Sequence, residues 1–374
     1  MLNGGCVRDE IMGRVPKDFD VEVYGLSPEK LREVISEFGK VDAVGASFQV
    51  YKVGQDIDVS LPRRERKTGA GHKGFTVEGD PYMSFEEACS RRDFTVNAIL
   101  KDALTGEIVD PYDGFKAIRE KVLEAVSEKT FQEDSLRVLR LAQFASRLKF
   151  RIEQKTLDMA READLSDLPK ERVWMELEKL FLKSVDPSVG ASYLKGLKIT
   201  QKLFPSYKTN ERTLRALQKA PSFANDLSNG QKLALYVAIF SWASESTLLD
   251  EMGLSSVDGY NVRKKVEELR EYSGKPLSTD YHFHKLSQQL DMKLYSRLLY
   301  AFGSHYANEF ADTVERLGIE EKPVEPVLLG RHLIDLGFTP SSDFSAILSD
   351  VYDRQLRSEL TTLEEAKAFV LASH

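Results

Sequence analysis

The hydrophobic pattern of the sequence changes near residue 126, and this change limits the folds open to the chain. Before it, apolar runs typical of strands alternate with helical segments: strands are predicted at 19–24, 48–53, 56–61 and 107–109, and a helix at 28–38. After it, apolar residues recur at helical spacing in 134–149, 171–184, 211–219, 230–243, 261–272 and 343–356. The pattern therefore predicts an α+β chain, with an α/β head and an all-helical remainder.

Composition excludes several classes of protein. With 374 residues, 42% hydrophobic and 30% charged, the chain has room for two to four globular units. No apolar stretch reaches the roughly 20 residues that span a bilayer. The net charge of -7 argues against nonspecific polyanion binding but permits a local basic groove. Only two cysteines, Cys6 and Cys89, are present, which excludes a disulfide framework and a cysteine-rich zinc site, and we expect a cytoplasmic protein.

The stretch KDFDVEV, residues 17–23, places acidic side chains on one face of a predicted strand. Because side chains alternate along a strand, Asp18, Asp20 and Glu22 share a face, opposite Phe19 and Val21. Neighbouring carboxylates repel each other unless water, a basic group or a metal ion screens them. The pattern is consistent with a solvent-facing edge strand or with a divalent metal site, whereas a calcium loop lacks its glycine.

A glycine turn precedes these acids. In NGGCVRDEIMG, Gly4 and Gly5 form a turn before a helix predicted from Cys6 to Met12. Backbone N–H groups at such a turn, with Arg8 in the first helical turn, can bind phosphate. Alone, the two glycines are equally explained by a simple tight turn.

Together, a carboxylate pair and a phosphate cradle are what nucleotidyl transfer requires. Two Mg²⁺ ions would activate a 3′-hydroxyl and neutralise the leaving pyrophosphate, so no protein nucleophile is needed. A third carboxylate often comes from a neighbouring strand. In GQDIDVSL, Asp56 and Asp58 share a face, and Asp58 is the better candidate.

Two further stretches carry polar groups suited to nucleotides. If SRRDFTVNAI, residues 90–99, is helical, Asp93 and Asn97 lie on one side, and with Arg91 and Arg92 they could surround a ribose and a triphosphate. An N-terminal helix cap with surface ion pairs explains the same residues.

The stretch EDSLRVLRLAQFASRLKF, residues 133–150, has a polar row of Asp134, Arg137, Arg140 and Gln143. An aspartate and an arginine on adjacent turns can bind a base edge, because the carboxylate accepts from the exocyclic amine of cytosine or adenine. Such a pair would reject uracil and guanine, which present a carbonyl oxygen there. An exposed ion pair worth roughly 0.2–0.5 kcal/mol is the alternative.

With GGCVRD, DFD, RRDFTVNA and EDSLRVLR in this order, residues 3–185 resemble the class II, bacterial and eukaryotic-type, tRNA nucleotidyltransferase and poly(A) polymerase family. The resemblance implies a polymerase-β-like nucleotidyltransferase head with a mixed sheet. It also implies that Asp18 and Asp20 are catalytic and bind metal, and the strand pattern adds Asp58 as a third catalytic candidate. In relatives, the positions matching Gly5, Arg8, Arg92 and Arg140 bind nucleotide, and those matching Asp134 and Arg137 pair with the incoming base. The full set of predicted nucleotide-binding residues is Gly4, Gly5, Arg8, Asp9, Arg91, Arg92, Asp93, Asn97, Asp134, Arg137, Arg140 and Gln143.

The resemblance also implies a domain order. The expected division is a catalytic head at 1–125, a nucleotide-selecting helical neck at 126–190, a helical body at 191–322 and a tRNA-binding helical tail at 323–374. DPYDGFKAI and ERVWMELEKLF are similar to linking and neck motifs of the family. Pro323 and Pro326 mark the start of the tail.

Three features qualify the resemblance. Gln143 stands where relatives usually carry a third neck arginine, and only three residues precede Gly4, so the first strand should be short. Glycines at 69, 71, 74 and 79 and cations among residues 63–67 predict a mobile basic loop, which in the family accompanies addition of A. No His-Asp dipeptide occurs, so the phosphohydrolase domain of some relatives is not expected.

The sequence therefore predicts a CCA-adding tRNA nucleotidyltransferase that uses CTP, ATP and two Mg²⁺ ions, with Asp134 and Arg137 as a protein template. An A-adding enzyme or a poly(A) polymerase of the same fold stays open. A non-catalytic RNA-binding protein is the alternative from another class, although an idle pair at Asp18 and Asp20 would be an electrostatic liability.

Overall fold

The structure is a computed structural model that describes residues 1–38, 42–44, 50–67, 75–254, 256–272 and 277–373. Two compact units share the chain. The first holds Met1–Tyr207 with Thr247–Gly253, and the second holds Lys208–Ser246 with the described residues from Leu254 onward. Among the described residues, no helix combines the length and the apolar character needed to cross a membrane.

The strands all lie in the first unit. They are β1 Leu2–Asn3, β2 Phe19–Glu22, β3 Asp42–Val44, β4 Val50–Val53, β5 Ile57–Ser60, β6 Arg63–Lys67, β7 Phe75–Gly79, β8 Leu100–Lys101, β9 Ile108–Val109, β10 Val122–Leu123 and β11 Arg151–Ile152.

The helices of the first unit surround and follow these strands. They are α1 Gly5–Ile11, α2 Pro28–Ser36, α3 Phe85–Ser90, α4 Gly114–Glu120, α5 Glu128–Glu133, α6 Arg137–Leu148, α7 Gln154–Glu162, α8 Lys170–Lys183, α9 Pro187–Gly196 and α10 Ile199–Leu203. Helix α13 Leu248–Met252 also belongs to this unit, although the residues just before it, Lys208–Ser246, belong to the second. A 3-10 turn occupies Thr95–Asn97.

Within the described residues, seven strands form one mixed sheet in the order β3-β4-β5-β2-β1-β8-β9. Strands β2 and β5 are parallel, and the other neighbours are antiparallel. Leu31 and Ile35 of α2 pack with Tyr51 and Val59 in a core on one side of this sheet. Ser27 caps α2, since its side chain accepts from the Lys30 N–H and Pro28 follows at the first helical position. The mixed sheet confirms the predicted α/β head.

The second unit is helical in its described part. Its helices are α11 Glu211–Lys219, α12 Asn229–Ser241, α14 Val262–Glu271, α15 Asp280–Ser287, α16 Met292–Ala301, α17 Ala307–Leu317, α18 Gly330–Asp335, α19 Asp343–Leu356 and α20 Leu363–Ser373. The last three helices share a core that includes Leu333, Val351 and Val370. The predicted all-helical remainder is thus confirmed, apart from the short strand β11, which pairs with β10.

Two local predictions are wrong. Residues 90–99 do not form one helix, because α3 ends at Ser90 and a 3-10 turn begins at Thr95. The basic stretch after β5 is not simply a loop, because β6 and β7 pair antiparallel with Arg63 opposite Gly79. The part of that prediction at residues 68–74 lies outside the described residues. The first strand, β1, is as short as expected.

Helix α9 gives a test of the packing, because it carries two glycines in different surroundings. A Cβ at Gly190 would lie 2.6 Å from Leu180 Cδ1 and 3.1 Å from the carbonyl oxygen of Ala142, whereas a Cβ at Gly196 would meet nothing within 4 Å. We expect Gly190→Ala to destabilise the protein by roughly 1–3 kcal/mol through overpacking. Gly196→Ala, the matched control, should stabilise it by about 0.5–1 kcal/mol. Urea denaturation midpoints measure both, and equal effects would contradict the close packing of α6, α8 and α9.

Candidate active site

Two predicted catalytic acids meet across the parallel strands. Asp20 on β2 and Asp58 on β5 are direct register partners, and both side chains line one cleft of about 460 Å³. The Lys52 ammonium lies 3.7 Å from Asp58. Asp18 is exposed, precedes β2 and is not among the cleft-lining residues. The structure therefore brings Asp20 and Asp58 together and leaves Asp18 at the edge of the site.

The cleft combines both signs of charge along its walls. Its lining residues are Asn3, Asp20, Glu22, Val50, Asp58, Ser60, Arg63, Arg91, Arg92, Asp93, Asp134, Leu136, Arg137, Arg140 and Arg172. The acids from the sheet face arginines from the 91–92 turn and from helices α6 and α8. Arginine is the side chain best suited to bind phosphate in two-pronged fashion. The cleft therefore offers groups for both a polyanion and a cation.

The electrostatic setting of Asp20 disfavours its charged form. Loss of water around it raises the pKa of the Asp20 carboxyl above its usual range. The charge of Arg92 lowers it, but Asp58 and Asp18 raise it further. A positive ion beside Asp20 would relieve this repulsion.

The glycine turn lies beside Arg92 and Asp20, although Gly4 and Gly5 are not among the cleft-lining residues. Gly4 has φ 64° and ψ -126°, a backbone conformation that L side chains rarely adopt. A Cβ there would stand 3.1 Å from Arg92 Nη1 and 3.9 Å from Asp20 Oδ2. Any larger residue would therefore fill the space between the arginine and the aspartate. Gly5 begins α1 beside Arg8.

Arg8 lies in the interior. It is 2% exposed, its Nη1 donates to Asn97 Oδ1 at 2.5 Å, and its Nε and Nη2 donate to Asp9 Oδ1. Its guanidinium also stacks over the Phe144 ring, 5.3 Å from the ring centre. Arg8, Asp9 and Asn97 are not among the cleft-lining residues. They hold α1 against the 3-10 turn and α6.

Asp93 ties the cleft to the helix behind it. Its Oδ2 accepts from Arg140 Nε and Nη2 at 2.9 and 2.6 Å, and its Oδ1 accepts from Asn97 Nδ2. Burial by itself would raise the pKa of Asp93, but Arg140 and the Asn97 hydrogen bond hold it below the usual range. Asp93 is therefore ionised at neutral pH, and it anchors Arg140 at the cleft wall.

Asp134 and Arg137 line the cleft, but each already has partners. Asp134 Oδ1 accepts from the Leu136 N–H, and Oδ2 lies 3.3 Å from Arg172 Nη2 on α8. Arg137 donates to the carbonyl oxygens of Arg91 and Thr130, both at 2.5 Å. The predicted helix 134–149 begins only at Arg137, so Asp134 sits in the connection between α5 and α6.

Gln143 departs from the expected polar row. It is 2% exposed on α6, it is absent from the cleft lining, and its Nε2 has no hydrogen-bond partner. Helix α6 packs against both α8 and α9, and Gln143 occupies one of its buried positions. In the sequence, a polar residue three positions after Arg140 predicts an exposed side chain.

Sequence reasoning missed cleft residues that come from distant segments. Glu22, Arg63 and Arg172 line the cleft with Asn3 and Ser60. The strand pattern could have identified Glu22, because it shares the strand face of Asp20. Arg172 lies within the neck-like stretch ERVWMELEKLF. No sequence pattern indicates that Arg172 reaches Asp134.

A magnesium ion suits the donors of this site better than a metal held by protein alone. Among the described residues, no group of three or more His, Cys, Asp or Glu side chains could hold a metal. Asp20 and Asp58 offer hard carboxylate oxygens from adjacent strands. Mg²⁺ typically takes one or two carboxylates and completes its shell with water and substrate phosphates. The residues present therefore fit Mg²⁺ that binds together with a phosphate ligand.

The raised pKa of Asp20 predicts a stability change with a defined sign. The folded state disfavours the Asp20 carboxylate, so the charge costs stability at pH 7, and this cost disappears below the unfolded pKa near 4. We expect Asp20→Asn to stabilise the protein by roughly 0.2–1 kcal/mol at pH 7 in metal-free buffer, and not at pH 3.5. Denaturation midpoints at the two pH values measure this.

Asp102→Asn is the control with the opposite sign. Hydrogen bonds from the Thr105 and Leu104 N–H groups lower the pKa of Asp102, so its charge adds stability at pH 7 that is lost as the pH falls. That variant should be less stable at pH 7. If Asp20→Asn destabilised the fold at pH 7 as well, the repulsion described at Asp20 would be wrong.

Known proteins match parts of this chain. Residues 1–124 match the family model of the Poly A polymerase head domain. The chain is similar to the Multifunctional CCA protein of Pseudomonas putida, 37% identical over 235 residues, covering 60% of this chain and 61% of that protein. It is also similar to the Multifunctional CCA protein of Stenotrophomonas maltophilia K279a, 42% identical over 188 residues, covering 48% and 44%. The matched region thus spans about half the length of these relatives.

Solved structures share the fold along nearly the whole chain. A crystal structure of the Bacillus stearothermophilus CCA-adding enzyme in complex with CTP has a TM-score of 0.77 at 23% identity and covers 99% of this chain and 92% of that chain. The Thermotoga maritima CCA-adding enzyme complexed with tRNA has a TM-score of 0.68 at 19% identity, with 100% and 90% covered. The resemblance to the class II tRNA nucleotidyltransferase and poly(A) polymerase family, predicted from the motifs, is confirmed.

Proposed function

We propose that this chain is a tRNA nucleotidyltransferase that adds C, C and A to the 3′ end of tRNA from CTP and ATP, without a nucleic-acid template. The observation that carries this proposal is the shared cleft, where Asp20 and Asp58 stand in register on parallel strands and Arg91 and Arg92 line the same space. The names of the relatives, CCA proteins and CCA-adding enzymes, support the same activity.

The acids and the glycine turn have separate tasks in this proposal. Asp20 and Asp58 would hold Mg²⁺, with Asp18 as a further carboxylate at the edge. When bound, two Mg²⁺ ions supply activation of the 3′-hydroxyl and neutralisation of the leaving pyrophosphate. Arg91 and Arg92 donate hydrogen bonds to the triphosphate, and the missing side chain at Gly4 leaves room for it.

Base selection is assigned to Asp134 and Arg137. The Asp134 carboxylate accepts from the exocyclic amine of cytosine or adenine, and Arg137 donates to the adjacent ring nitrogen or carbonyl. Support comes from their position in the lining of the cleft that also holds Asp20 and Asp58. Since Arg172 contacts Asp134 at 3.3 Å, a bound base would share or displace that contact.

The remaining assignments concern the partner and the division of the chain. We assign the head to 1–125, the neck to 126–190, the body to 191–322 and the tail to 323–374. The tail would contact the acceptor and elbow region of tRNA. The structure of the Thermotoga maritima CCA-adding enzyme complexed with tRNA supports tRNA as the partner. The two free, buried cysteines, Cys6 and Cys89, support a reducing, cytoplasmic compartment.

Nucleotide incorporation is the experiment that tests this function. Labelled CTP and ATP, separately and together with Mg²⁺, are offered to tRNA transcripts that end before the tail, after C and after CC. We expect ordered addition of C, C and A. Asp20→Ala should lower incorporation by at least roughly 1,000-fold, because it removes metal-dependent transition-state stabilisation. Asp158→Ala is the matched control, since Asp158 forms an exposed ion pair with Arg161 outside the cleft.

Other outcomes separate the alternatives. Addition of A only to the transcript ending in CC would indicate an A-adding enzyme, and repeated addition of A would indicate a poly(A) polymerase. Absence of incorporation by the unmodified chain, with tRNA still bound, would favour the non-catalytic RNA-binding protein.

The proposed template predicts a loss of base selectivity. We expect Asp134→Ala to lower incorporation of C and A by roughly 10- to 100-fold, because a good bidentate pair discriminates by about 1–3 kcal/mol. Incorporation of U and G should rise relative to C and A. Competition assays with all four nucleoside triphosphates measure the ratios, with Asp158→Ala again as the control. A uniform loss for all four bases would assign Asp134 to structure instead of selection.

A further inference from the structure

Glu22 is a buried acid at the floor of the cleft that the proposed chemistry does not use. It is 3% exposed, follows Asp20 by two residues on β2 and therefore shares its face. Its Oε1 accepts from Arg91 Nη2 at 2.9 Å and from Arg92 Nη2 at 3.0 Å. One carboxylate oxygen thus holds two neighbouring guanidinium groups.

The other oxygen of Glu22 is also fixed. The Tyr24 hydroxyl donates to Oε2 at 2.9 Å, and the Tyr24 ring packs edge-on against Phe85. Burial and the nearby Glu22 charge raise the pKa of Tyr24, so it stays a donor at working pH. A carboxylate buried beside Asp20 is costly unless its donors compensate it, and here three donors do so.

The backbone that carries the two arginines is held by a different group. Arg137 donates to the carbonyl oxygens of Arg91 and Arg92 at 2.5 and 3.4 Å. Glu22 therefore acts on the guanidinium groups, while Arg137 acts on the main chain. Loss of the Glu22 charge should loosen both guanidinium groups without unfolding the turn, and Arg91 Nε keeps its hydrogen bond to the Ala88 carbonyl oxygen.

Arg92 keeps hydrogen-bonding capacity that no acceptor in the described part of the chain uses. Its Nε is buried and has no partner, and its Nη1 lies 3.1 Å from the place where a Gly4 Cβ would be. An unpaired buried donor on a cation is costly, and an anionic oxygen is the group that satisfies it best. The space above Gly4 is where such an oxygen could approach.

We propose that Glu22 is a positioning residue, which fixes Arg91 and Arg92 in the geometry that binds the triphosphate. This inference rests on the proposed function only for the identity of the nucleotide, because the arrangement itself selects a polyphosphate. Without Glu22, two guanidinium groups held close together would repel each other and turn toward water.

Removal of the Glu22 charge has a second effect on phosphate binding, with the opposite sign, so an experiment can distinguish the two. Glu22 places a negative charge near the phosphate site, so its removal would raise the local positive potential. If neutralisation outweighed positioning, loss of the Glu22 charge would tighten polyphosphate binding. The geometry favours positioning, because the charge of Glu22 is already shared between the two guanidinium groups and the Tyr24 hydroxyl.

Binding of inorganic tripolyphosphate by isothermal titration calorimetry, with Mg²⁺ present, decides between the two effects. We expect Glu22→Gln to raise the dissociation constant roughly 10-fold, the contribution of one hydrogen bond to a charged group. KM for CTP and ATP should rise similarly while kcat stays nearly unchanged, as expected when ground-state binding is lost. A merely structural role would not give this division between KM and kcat.

Glu87→Gln is the matched control, since it removes another glutamate that pairs with an arginine, Arg64, outside the cleft lining. It should leave tripolyphosphate binding unchanged. Tyr24→Phe keeps both arginine contacts and should weaken binding about threefold, the size of a neutral hydrogen bond. If Glu22→Gln fails to fold, Tyr24→Phe decides, and unchanged binding there overturns the inference.

The remaining outcomes are distinct. Equal or tighter binding by Glu22→Gln overturns the positioning role, and so does an unmodified chain that binds no tripolyphosphate. An unmodified chain that binds tripolyphosphate and loses affinity in Glu22→Gln supports the inference even if no nucleotide is added to tRNA. In that case the proposed function fails and the positioning role stands.

Discussion

The site depends on one buried carboxylate, Asp93. It receives hydrogen bonds from the Phe94 N–H and Asn97 in its own turn and from Arg140 on α6, 47 residues away. Breaking a buried ion pair of this kind commonly costs about 3–5 kcal/mol, since it leaves a charge without compensation. Asn97 in turn accepts from Arg8 on α1. The glycine turn, the arginine turn and helix α6 are therefore fixed relative to one another through a single charge.

This network divides the motif residues into two groups with different physical tasks. Arg91, Arg92 and Asp134 line the cleft and have atoms that a ligand can reach. Arg8 is buried with its donors satisfied, and its guanidinium stacks on the Phe144 ring. The Arg140 guanidinium lies 5.4 Å from the centre of the same ring. An arginine in the sequence was therefore not sufficient to predict phosphate binding, because burial and competing acceptors decide whether its guanidinium is available to a ligand.

The sequence was sufficient for features that depend on local periodicity. The predicted helix 28–38 is observed at Pro28–Ser36, and the predicted strand 56–61 at Ile57–Ser60. It was insufficient where contacts join distant segments, such as Arg172 with Asp134, 38 residues apart. Gln143 shows the same limit, since it is buried although the sequence pattern places it in a polar row. Periodicity identifies a face, but the neighbouring elements determine what covers it.

On the proposed function, the mixed charge of the cleft has a thermodynamic meaning. Partial loss of water and neighbouring acids make the charge of Asp20 unfavourable, and a cation relieves that cost. In the same cleft lies Arg92, whose buried Nε has no acceptor among the described residues. A magnesium complex of a nucleoside triphosphate brings both missing charges at once. The cleft therefore favours the complete magnesium–triphosphate complex over either ion alone.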